Sequence, residues 1–197
     1  MRMEKLTSLE MAVAMEAPAT PRSIILGFGT GFQPVAGFNW GARRYDRVMD
    51  SYRFAARTAI IGASVMGALL ALFAGGLITL FATDDASMRE IGALCIRLQC
   101  LALPVHSWVA VVNMLCAGLG NAKGALLLST SRQGTCFLPI VYPMTYLWGA
   151  VGAASVQAAA DILSLALALP LIRSVKDQIS RAALAAGEGQ PGLAGEV

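Results

Sequence analysis

Charge is what this sequence has least of. Asp, Glu, Lys and Arg make up 14% of its 197 residues, while apolar residues make up 56%. Soluble domains carry about a quarter charged residues, so a water-soluble globule could not enclose this much apolar surface, and lipid is the solvent the composition calls for. Histidine occurs once, as His106. Cysteine occurs at Cys95, Cys100, Cys116 and Cys136, without the CxxC pairing of a zinc site. These read as reduced thiols packing as small hydrophobes, and no metal constellation is present. The basic residues are spread along the chain and form no single run, which argues against nucleic acid as a partner. No nucleophile stands beside a base and no carboxylates pair, so an intramembrane enzyme has no site.

Gly27, Gly29 and Gly31 form GFGTG, a superficial nucleotide-loop string. A dinucleotide fingerprint follows a strand and opens a helix within a βαβ unit. Here Pro34 follows and no such unit exists, so the reading is rejected. Residues 1–22 stand apart as a polar, amphipathic or disordered segment. Glu10 and Glu16 interrupt what would be the apolar core of a secretory signal.

A membrane-spanning helix needs about 20 mostly apolar residues. Stretches 23–42, 58–83, 98–122, 124–147 and 149–172 meet that length, giving an all-α integral membrane protein of about five transmembrane helices. The last two are expected to be antiparallel neighbours joined by a tight turn at Trp148-Gly149. The 42–57 connection is rich in arginine, 84–97 opens on Asp84 and Asp85, and Arg173, Lys176 and Arg181 follow the last span. Basic flanks face the cytoplasm, so the C-terminal tail, 177–197, is expected inside.

Ala63, Gly67, Ala71 and Gly75 recur every four residues along the second span. Small residues let helices approach closely, and packing within the bundle is the expected use. Pro34, Pro104, Pro139 and Pro143 interrupt spans, as is common in transporters. Asp161 stands twelve residues from both Gly149 and Arg173, about 18 Å from either end of its span. An acid at that depth needs a partner, a proton or a wet cavity. Arg132, about 13 Å in from Lys123 at the same rise, is the expected partner, with snorkelling to the headgroups as its alternative. His106, Asn113 and Gln99 share the third span, and a lone histidine there is more often hydrogen-bonded within the bundle than a ligand.

Several strings resemble one family. GFGTGFQPVAGFNWGARRYDRV (27–48), LFATDD (80–85), GLGNAKGALLLSTSRQ (118–133) and QAAADILS (157–164) are similar, in family order, to motifs of MATE multidrug and toxic-compound exporters, in the MepA-like bacterial branch. The resemblance implies a fold of two six-helix lobes around a central cavity, with both termini cytoplasmic, and exchange of H⁺ or Na⁺ for organic cations. It places residues 23–176 as a partial C-terminal lobe, from the end of helix 8 to helix 12 of the twelve, in the inner (plasma) membrane. The N-terminal lobe would be the missing partner, the bilayer and organic cations the other partners, and the coupling ion the only cofactor. Gln33, Asn39, His106 and Asn113 become candidate cavity-lining groups, and Asp161 and Arg132 candidate ion-coupling or buried charges. One departure stands out: several members carry an acidic cation ligand in helix 10, but 98–122 has no Asp or Glu. The alternative reading is a non-transporting membrane fragment or an accessory membrane subunit.

Overall fold

The computed structural model describes residues 19–79, 86–131 and 137–188, and every regular element among them is helical. The order is α1 (Ala19–Gly41), α2 (Tyr45–Thr79), α3 (Ala86–Gly118), α4 (Ala122–Thr130) and α5 (Phe137–Glu188). Among the described residues, two stretches are long and apolar enough to cross a membrane, Tyr45–Gly76 and Gly92–Gly118. The first turns Ile61, Val65, Leu69, Leu72 and Phe73 outward, as a lipid-facing helix does. The second is mostly buried, though Leu94 and Leu101 stay exposed, because α3 is the hub against which the other described helices pack.

The close approach of α2 to α3 depends on Gly67. A Cβ there would lie 2.9 Å from the Cys100 carbonyl oxygen, the acceptor to which position 104 would donate if it were not Pro104. The expected four-residue stripe is used only in part. Four helical residues overshoot a full turn by about 40°, so Gly75 has rotated off the contact and faces open space. Ala74, eleven residues after Ala63, returns to the same face, and both are buried against α3 with Leu70 beside them.

The α1–α3 crossing is tighter still. A Cβ on Gly118 would come within 2.8 Å of the Gln33 carbonyl oxygen, and one on Gly37 within 3.1 Å of the Gly118 oxygen. Both helices close with the same hydrogen-bond pattern. Arg43 N–H donates to Trp40 O and Arg44 N–H to Asn39 O, while Gly120 N–H donates to Ala117 O and Asn121 N–H to Cys116 O. These are Schellman caps, whose penultimate residue takes a left-handed backbone. Glycine supplies it at φ 74° in Gly120, but arginine supplies it at φ 56° in Arg43. Holding a Cβ there costs about 1 kcal/mol, so Arg43→Gly should stabilise the detergent-solubilised protein by about that amount. Thermal unfolding checks it, and a loss of stability would show that the side chain offsets the strain.

One sequence expectation is corrected here. No turn exists at Trp148-Gly149: α5 runs through it unbroken. Its described buried positions are Val156, Ala160, Asp161, Ser164, Ala168, Ile172, Val175 and Ile179. A glycine without a following proline weakens a helix by only about 1 kcal/mol, and after Gly149 no proline follows until Pro170. Of the expected span 124–147, α4 covers Ala122–Thr130 and α5 takes in the part from Phe137; residues 132–136 lie outside the described residues. Near the end of α4, Ser129 Oγ donates to Ala125 O and Ser131 Oγ to Leu128 O.

Candidate functional site

Gln99, His106 and Asn113 recur at seven-residue spacing on α3, close to two helical turns, so they share one face of the hub helix. Each meets a different environment. Gln99 is buried, with no protein partner for Oε1. Asn113 donates from Nδ2 to Ser129 Oγ of α4 at 3.3 Å, and its Oδ1 has no partner.

His106 faces Asp161. The ring Nδ1 and carboxylate Oδ1 lie 3.4 Å apart, both side chains 1% exposed. The contact needs one proton between the two atoms, either as Nδ1–H donating to the carboxylate or as the carboxyl O–H donating to Nδ1. The arrangement therefore holds one proton or two. Ser107 and Ser164 are buried beside these residues in the chain, and Ser107 Oγ turns back to donate to Pro104 O at 2.8 Å.

The ion pair expected between Arg132 and Asp161 was read from a turn at Trp148-Gly149, through which α5 is continuous. Arg132 itself lies outside the described residues, as do Cys136 and the first 18 residues of the segment expected over 1–22, whose last four residues open α1. Among the described contacts of Asp161 is His106 of α3, far away in sequence.

The remaining candidates sit elsewhere. Asn39 donates from Nδ2 to Val35 O of its own helix at 2.9 Å. Gln33 is half-buried where α1 crosses α3, with its backbone oxygen against Gly118. No described cavity collects Gln33, Asn39, His106 and Asn113 together. A cleft of about 630 Å³ lies instead between α1 and α2, lined by Gly27, Gly31, Phe28, Phe32, Phe54 and Asp50 among others. Sequence reading passed over it. The signal was the i, i+4 pair Gly27 and Gly31, where an added Cβ would meet nothing. The glycines rejected as a nucleotide loop thus open the wall of an apolar groove.

The MatE family model matches residues 11–147. Among solved structures, the fold is similar to the inward-facing conformation of a multidrug resistance MATE family transporter of the MOP superfamily, at a TM-score of 0.72 and 16% identity. The likeness covers 90% of this chain and 39% of that one, so the chain spans well under half the length of its structural relative. No curated protein matches it. With the family match extending over most of its length and an all-helical, lipid-facing bundle beneath it, the chain is a membrane protein that belongs to the MatE family.

Proposed function

We propose that this chain forms one part of an exporter that drives organic cations out across the cell's inner membrane in exchange for protons. The observation that carries this reading is the His106–Asp161 pair, buried between the hub helix and α5 of a MATE-type bundle. Ionisable groups at such depth mark ion pathways and proton relays. An imidazole sharing a proton with a carboxylate is a group that can take up and release H⁺, which favours H⁺ over Na⁺. Alternating access needs two halves moving about a central site. The chain matches only 39% of the transporter's length, so the opposing wall of the cavity would come from a first lobe. Gln33, Asn39 and Asn113 are the polar groups this part would contribute, and the C-terminal tail would be cytoplasmic.

Ethidium efflux from an efflux-deficient host tests the proposal. The chain alone should confer no resistance. Fused to the first lobe of a MATE-type exporter it should do so, and Asp161→Asn should reduce transport by tenfold or more. Resistance from the chain alone, lost on Asp161→Asn, would show that one part suffices. No transport from any fusion would favour a non-transporting membrane protein.

A further inference from the structure

Basic residues that are scattered in the sequence gather at one end of the bundle. Gly37 of α1 abuts Gly118 of α3, so these two helices end side by side. Arg43, Arg44 and Arg47 follow α1, and Lys123 follows α3. Gly124 of α4 sits against Leu171 of α5, and Lys176 Nζ lies 5.8 Å from the centre of the Tyr52 ring of α2. Those contacts bring Arg173 and Lys176 into the same layer. The acids at this end are Asp46, Asp50 and Asp177, and Asp50 is taken up by Arg53 at 3.4 Å. Among the described residues, no carboxylate lies within ion-pair distance of Arg43, Arg44, Arg47, Lys123, Arg173 or Lys176.

Two features place this patch at headgroup depth. Trp40 and Tyr45 flank the α1–α2 turn, edge to face at 5.2 Å, and both residue types concentrate at the membrane interface. Arg43 keeps its side chain exposed from a left-handed backbone that the equivalent cap of α3 assigns to glycine. Its charge is kept against the preference of its backbone. We propose that this end of the bundle binds the headgroups of anionic phospholipids, with Arg43, Arg44 and Arg47 as the principal contacts. Guanidinium groups match phosphate geometry in pairs of hydrogen bonds, and juxtamembrane basic clusters recognise anionic leaflets.

Native mass spectrometry of the detergent-solubilised full chain, titrated with phosphatidylglycerol or phosphatidylcholine, tests this. The anionic lipid should bind more tightly. Arg43→Gly should weaken it about fivefold while raising the melting temperature in detergent alone, a combination that a merely structural residue would not give. Arg43→Lys should retain the preference. Arg47→Gln, at a helical position with no special backbone demand, should also weaken binding about fivefold. Unchanged phosphatidylglycerol affinity in both Arg43→Gly and Arg47→Gln would overturn the proposal. Displacement of the lipid by inorganic phosphate at equal concentration would overturn the lipid assignment in favour of a free anion.

Discussion

Gly118→Ala should lower the melting temperature of the detergent-solubilised protein by about 10 °C, whereas Gly62→Ala should leave it unchanged or slightly raised. One methyl group is added in each case, and the difference lies in what it meets. At 118 the new Cβ would stand 2.8 Å from the Gln33 oxygen, 3.3 Å from Ala36 Cβ and 3.4 Å from Gly37 N. The first and last of these are backbone atoms of an intact helix, so relief requires α1 to move bodily away from α3. Overpacking of this kind costs about 3 kcal/mol. At 62 nothing lies within 4 Å, and alanine's better helix propensity favours the substitution by up to about 1 kcal/mol. Gly67→Ala belongs with Gly118→Ala, because the Cys100 carbonyl is 2.9 Å from its Cβ position. Equal melting temperatures for the 62 and 118 variants would mean that the α1–α3 crossing is not held at the distance described.

Removing either member of the buried pair should have an effect of similar size. Asp161→Ala leaves His106 in an apolar interior without its carboxylate, and His106→Ala leaves the carboxylate without its imidazole. Breaking a buried contact in this way costs about 3 kcal/mol, chiefly because the surviving polar group loses this hydrogen-bond partner. The double variant, which removes both sides of the contact, should be destabilised by less than the sum of the two single variants. A double-mutant cycle by chemical unfolding in detergent reads this directly. Strict additivity would show that the two side chains, 3.4 Å apart, do not act as a unit. The same cycle read by ethidium transport in a two-lobe fusion separates a packing role from proton exchange: only the latter makes transport fall further than stability does.

The solvent, the helical class and the family were legible in the residues, because each depends on local properties summed along the chain. Scarce charge and long apolar runs fix the environment wherever the runs pack. The motif strings carried the family without any knowledge of contacts, and Asp161 declared itself by depth alone. Its contact with His106, fifty-five residues away, was not legible. A glycine beside an aromatic, as at Trp148-Gly149, is as compatible with a continuous helix as with the turn expected there, and α5 runs through it. Local sequence likewise could not tell which small residues matter: Gly67 and Gly75 look alike in the stripe, but a 40° drift per step leaves one against a carbonyl and the other in open space. Arg43 reads as one more basic loop residue until the cap geometry shows it in a backbone conformation suited to glycine. In each case the missing information was what lies across the contact, and only the tertiary structure supplies that.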